Sequence, residues 1–186
     1  MTETIICHTE DRVCQGDIFR DIEYFDSFSI DAGIVEIARI SFPHIVVLTQ
    51  DCDLAQDLTF RHGDSRNQDK VLLSILVAPI YNLEFFLNGE HLSELDLSMR
   101  DFRHGSKTAI NDIKNNSNPR YHFFDFGRES QLPPSIVDFK HYFAVNIKYL
   151  EDQRRNNRLF RIKELYREDI SQRFSSFLSR IGLPDE

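Results

Sequence analysis

Apolar and polar positions divide the chain into short strand-like runs and one clear helix. Ile45-Val46-Val47-Leu48 is a β-branched aliphatic run, the pattern of a buried strand. It passes directly into the polar cluster Thr49-Gln50-Asp51-Cys52-Asp53. Val35 to Ile40 alternates apolar with polar and predicts a half-buried strand broken at Pro43, with a hairpin joining it to the Ile45 run. Val71 to Ala78 is a second aliphatic run, predicting a central strand that ends at Pro79 and lies close to the first. Tyr24 to Ile30 mixes aromatic and acidic residues, as a loop or irregular strand does. Gly16-Asp17 and Asn88-Gly89 predict turns.

Further on, Lys107 to Asn115 predicts a short helix with Ile110 and Ile113 on one side. Arg120 to Gly127, Ile136 to Val145 and Leu159 to Ile162 predict aromatic-rich strands. Ile170, Phe174, Phe177, Leu178 and Ile181 fall at helical spacing, with Gly182 and Pro184 as the stop. The expected fold is mainly β, a β plus α arrangement. It is a bent sheet or SH3-like partly open barrel with a C-terminal amphipathic helix. The expected organisation is one globular domain over 12–184 behind a flexible lead-in, 1–11.

Composition narrows the class. The chain has 186 residues, 41% hydrophobic and 28% charged, with sixteen Phe, enough for one domain with a substantial aromatic core. No stretch has the roughly 20 apolar residues of a membrane span, and the first residues lack the pattern of a signal peptide. Three cysteines, Cys7, Cys14 and Cys52, offer no disulfide framework and suit a reducing cytoplasm. The net charge of −8 opposes loose binding to a phosphate backbone. Acidic residues dominate from Glu10 to Phe60 and basic ones from Lys148 to Arg180. That basic third is either an ordinary solvated surface or a face for nucleic acid or an acidic partner.

Two constellations carry candidate chemistry. If the strand continues through Asp51-Cys52-Asp53, both carboxylates share one face and Cys52 takes the other. Asp51 and Asp53 then suit a divalent cation such as Mg²⁺, helped by Asp57 or Gln50, or an Arg or Lys from elsewhere in the fold. Alternatively they cap a following turn or helix, with Cys52 a small buried hydrophobe. A cysteine nucleophile is disfavoured by its two anionic neighbours. In the second constellation, Arg120 and His122 would project from one strand face, an anion clamp beside an acid–base group, with Lys107 and Lys114 adding charge. Ordinary edge residues, paired to Asp51 or Asp53, are the alternative. Asp138 is a candidate buried salt-bridge partner. No CxxC, HxxxH, HExxH, phosphate loop or GxSxG elbow occurs.

Val47-Leu48-Thr49-Gln50-Asp51-Cys52-Asp53-Leu54, Asn118-Pro119-Arg120-Tyr121-His122, and Tyr166-Arg167-Glu168 through Arg180-Ile181-Gly182-Leu183-Pro184 resemble a group of bacterial proteins sharing a T/S-Q-x-C-D-L strand-end motif. That resemblance implies a shared site of Cys52, Asp53, Arg120 and His122. Gly16-Asp17-Ile18 and Ile45-Val46-Val47-Leu48-Thr49 resemble the growth-inhibiting endoribonuclease toxins with an SH3-like barrel. This second resemblance implies a barrel core and an RNA-facing groove, although acidic residues stand where those toxins carry a basic loop. The expected function is a bacterial cytoplasmic accessory or defence-type protein that binds a protein partner, a ligand or a second copy. The alternative is a metal-dependent phosphodiester hydrolase or ribonuclease. There Asp51 and Asp53 would hold Mg²⁺, His122 would act as acid or base, and Arg120 would stabilise developing charge.

Overall fold

The computed structural model describes residues 4–7, 9–31, 33–62, 68–127, 130 and 132–180. It is a mixed α/β fold in which a curled, open antiparallel sheet forms a half-barrel with helices packed on it. The strands are β1 (Ile5–Ile6), β2 (Asp17–Asp31), β3 (Ile34–Val47), β4 (Ile75–Asn82), β5 (Tyr121–Phe124), β6 (Ser135–Asp138), β7 (Phe143–Val145) and β8 (Arg158–Ile162). Their order is β1-β8-β2-β3-β4-β6-β5, with β7 also on β4. The helices are α1 (Asp51–Arg61), α2 (Leu83–Leu87), α3 (Lys107–Lys114), α4 (Ile147–Asn157) and α5 (Glu164–Leu178).

The two aliphatic runs are neighbours at the centre. Ile45, Val46 and Val47 face Pro79, Ala78 and Val77 across the ladder, and all six are buried. Alternation sends their side chains to two cores on opposite faces. Val46 and Ala78 join Ile18, Phe124, Phe139, Ile170, Phe174 and Phe177, the cluster under α5. Ile45, Val47 and Val77 join Phe19, Ile22, Phe42 and Leu150, the cluster under α4. A third cluster, with Tyr81, Phe86, Phe102 and Tyr121, fills the end near α2 and α3. At that end Gly89 (φ +75°) has the Met99 carbonyl oxygen 2.5 Å from where a Cβ would stand, so only glycine fits without movement.

Several expectations need correction. Pro43 does not break the strand, because β3 runs through it. The β2–β3 ladder omits the pair opposite Pro43, where Asp21 takes φ +52° and Pro43 has no N–H to give. Pro79 likewise lies within β4, which begins at Ile75 rather than Val71. Val35 to Ile40 and the Ile45 run belong to one strand, and the hairpin joins β2 to β3 instead. The Val35 region is exposed rather than half-buried. In the last helix Ile170, Phe174 and Phe177 are buried as the spacing predicts, whereas Leu178 is half exposed. Ile181, Gly182 and Pro184 lie outside the described residues, as do 63–67 of the loop after α1 and 1–3 and 8 of the lead-in.

The β2–β3 hairpin extends well beyond the body. Every described residue from Phe25 to Asp31 and from Ile34 to Arg39 is exposed, a projection of about 20 Å at strand rise.

Candidate functional site

The polar cluster after β3 opens a helix, not a further stretch of strand. Gln50 is the residue before the first turn of α1 and accepts the Asp53 and Leu54 N–H bonds through its carbonyl. Asp51 and Asp53 stand in that first turn, where carboxylates oppose the positive end of the helix dipole. On a helix, positions two apart diverge by about 200°, so the two carboxylates do not share a face. Asp51 accepts two bonds from Arg12 (3.1 and 2.7 Å) and one from the Gln15 N–H (3.1 Å). Burial alone raises its carboxyl, but Arg12 and that N–H outweigh burial and hold it below the usual range. Asp53 and Cys52 are exposed, with the Cys52 thiol 3.7 Å from the Asp53 carboxylate and 3.6 Å from the Gln50 side chain. The candidate cation pair is therefore a structural clamp (Asp51) beside a solvated carboxylate (Asp53). Among the described residues no His, Cys, Asp or Glu group of three or more is gathered as a metal site requires.

Asp57 has the same structural role deeper in α1. Fully buried, it accepts two bonds from Arg61 and one from the Leu72 N–H, while Arg61 also donates to the Leu72 carbonyl. These bonds tie the far end of α1 to the approach to β4.

Arg120 and His122 separate as well. In the β5–β6 register Tyr121 faces Asp138 and His122 faces Val137. Arg120 turns to the Tyr121 side, its guanidinium 5.0 Å from that ring, and pairs in a two-pronged geometry with Asp138 (2.8 and 2.6 Å). Asp138 is completely buried and also accepts the Lys140 N–H, and His141 Nδ1 lies 3.4 Å from it. His141 Nδ1 is 3.1 Å from the Tyr81 hydroxyl. Burial pushes the Tyr81 phenol up and His141 down, against the Asp138 charge in the latter case. The His91 ring packs at a tilt against Tyr81 and Phe86, and burial lowers it to about 4. This cluster was legible only as the reading of Asp138 as a buried ion-pair partner. Tyr81, His91 and His141 come from three separate segments and carried no joint signal.

His122 points the other way, into the core beneath α5. Its ring is 4.4 Å from Phe124 and 6.3 Å from Phe139. It is 2% exposed and its Nδ1 has no hydrogen-bond partner. The nearest carboxylate, Asp169, is 3.9 Å away and half exposed. Burial, with Arg173 adding repulsion, pushes the imidazole down to about 3. A neutral, enclosed ring is not an acid–base group for a solvent-borne substrate. Arg173 itself donates to the carbonyls of Asn116, Asn118 and Tyr121, pinning the approach to β5.

Helix α5 stands between the two constellations. Arg167 and Ser171 lie on one flank, where Arg167 acts on Asp51 and Ser171 accepts from Gln15. Asp169 and Arg173 lie about 200° away on the flank that meets His122. The buried stripe Ile170, Phe174 and Phe177 runs between those flanks. Of the residues expected at a common surface, Asp51 is paired with Arg12, Arg120 with Asp138, and His122 is enclosed, while Cys52 and Asp53 are exposed.

What the fold does expose is the hairpin arm. In an antiparallel ladder, directly opposite residues share a face. Phe28 faces Ile37 and Ile30 faces Val35 on one face; Ser27 faces Ala38, Ser29 faces Glu36 and Asp31 faces Ile34 on the other. The register shifts between Phe25 and Ser27, leaving Asp26 as the extra residue of a bulge. Without that bulge Phe25, three positions before Phe28, would point to the opposite face. With it, Phe25 faces Arg39 and joins the Phe28 face, and the two rings come within 6.3 Å. Phe25, Phe28, Ile30, Val35 and Ile37 thus form one apolar face, 53%, 63%, 66%, 58% and 49% exposed. The other face is small and polar apart from Ile34 at the tip. It continues the side on which Tyr24 and Ile40 pack toward the α4 core.

No protein-family model and no curated protein matches the chain. No helix among the described residues is long and apolar enough to cross a membrane.

Proposed function

We propose that the protein is a binding module: a half-barrel body carrying an arm whose apolar face seats against another protein surface. The observation that supports this reading is the five-residue apolar face on the outer part of the hairpin, where every described residue is exposed. An exposed patch of that size is at the upper end of what monomer surfaces carry, and such patches are often functional. Asp51 and Arg120 are held in ion pairs and His122 is enclosed, which leaves the phosphodiester-hydrolase alternative only Cys52 and Asp53 as exposed members of its expected site. The setting we propose is a bacterial cytoplasm, in an accessory or defence-type role, in line with the resemblance and the reduced cysteines.

The test uses the tagged full chain, expressed in its own cells, against the variant F28T/I37T. Threonine keeps the strand preference and removes the apolar contact. A stoichiometric protein recovered with the unaltered chain and lost with the variant is the expected result. Identical recovery with both, or none with either from a chain that is itself monomeric, overturns the reading.

A further inference from the structure

From the geometry of the arm we infer that its partner is a second copy of this chain, packed apolar face to apolar face about a two-fold axis. This rests on the binding-module reading and specifies its occupant. Three observations single out a second copy.

The first is charge. The arm as a whole is acidic, yet its apolar face is close to neutral. The one acidic side chain at the base of that face, Glu23, is paired with Arg39 at 2.9 Å. Asp31 and Glu36 lie on the opposite face. Two such faces therefore meet without opposing like charges, whereas a strongly basic partner or a basic groove would be drawn to the other side. The carboxylates likewise disfavour a nucleic-acid occupant.

The second is area. The five residues expose at most roughly 500–600 Å² per arm, so two arms laid face to face cover up to about 1,000–1,200 Å², the lower bound for a specific stable interface.

The third is shape. The face is a two-stranded ribbon with matched rows, Phe28 with Ile37 and Ile30 with Val35, and a two-fold axis lays such a ribbon on its own copy as a second layer. A lone two-stranded ribbon is marginal in water, and a second layer supplies the burial it lacks.

The experiment is light scattering with sedimentation velocity on the full chain from about 1 to 100 µM, a range spanning micromolar dissociation constants. A reducing agent is kept present because Cys7 and Cys52 are exposed and could cross-link. The unaltered chain is expected to be dimeric at the upper end. F28T/I37T removes four apolar side chains from a two-fold interface and should weaken the dimer on the order of a thousandfold, leaving a monomer. Circular dichroism checks that the monomer retains its fold. S29T/E36Q, altered on the polar face, should remain dimeric. A dimer that persists in F28T/I37T, or is lost equally in S29T/E36Q, overturns the inference. So does an unaltered chain that is monomeric throughout. If that monomer still captures a different protein through the arm, the binding-module reading stands without the second copy. If it captures nothing, both fall.

Discussion

Replacing His122 by leucine and following unfolding at falling pH tests the enclosure of that ring directly. The folded protein holds the imidazole at about 3, against an ordinary value near 6.5 for the unfolded chain. Between those two values the unfolded chain binds the proton and the folded one does not. Stability contributed by the neutral ring is therefore complete above about pH 6.5 and is lost as pH falls toward 3. The loss amounts to about 2 kcal/mol at pH 5 and more than 3 kcal/mol at pH 4. No discount for solvent applies, because the ring is 2% exposed. Other groups also titrate in acid, so the quantity to measure is the difference between H122L and the unaltered chain. Urea unfolding monitored by circular dichroism at pH 7.5, 6 and 5 gives it. At pH 7.5 H122L should be as stable as the unaltered chain or more so, since it removes a buried nitrogen that has no partner. At pH 5 its advantage should grow by about 2 kcal/mol, about 1 M in the urea midpoint at a typical slope of ~2 kcal/mol/M. Parallel pH profiles would show that the ring is open to water or paired, and would refute the assignment.

Two further outcomes follow from the polar pairs and the thiols. R120M strands the buried Asp138 carboxylate and should cost about 3–5 kcal/mol in urea unfolding, while the double variant R120M/D138N should cost clearly less than the two single changes added together; additive costs would contradict the pairing. In native protein a thiol reagent should modify Cys7 and Cys52 within minutes but reach Cys14 only on unfolding, because Cys14 is buried and burial, with Asp17 beside it, pushes its thiol up to about 12; three equally fast thiols would refute its enclosure.

The central strands, the turn at Gly89, α3 and the α5 stripe were legible because each announces itself locally. A β-branched run, an Asn-Gly pair and helical spacing require no knowledge of the partner. Helix α1 was read only as a cap alternative, because Gln50 makes no side-chain cap and only Leu54 and Asp57 are buried in it. A polar helix starting at the last residues of a strand looks like the strand running on. The arm was hidden for a related reason: the bulge at Asp26 breaks the alternation, so Tyr24 to Ile30 reads as irregular although it is continuous strand. The Arg120–Asp138 pair depends on which residue of β5 stands opposite which residue of β6, and that register is set by the whole sheet. Arg120 and His122 were expected to cooperate because they alternate correctly, but Arg120 precedes the strand and bends to the other side.

The sheet order has a consequence for how the protein is made. Ile18 and Phe19 of β2 pair on one side with β3, close in sequence, and Asp17 to Phe19 pair on the other with Arg158 to Arg161 of β8, whose Arg161 and Ile162 also take the short strand β1. On the ribosome the β2–β3 hairpin can form as soon as it emerges, but its second edge has no strand to pair with until Arg158 to Arg161 have been synthesised. Closure of the half-barrel is therefore a late, long-range event, the kind that slows folding. For that interval the nascent chain displays both an open strand edge and the exposed apolar arm, and depends on the arrival of β8 to cover the former.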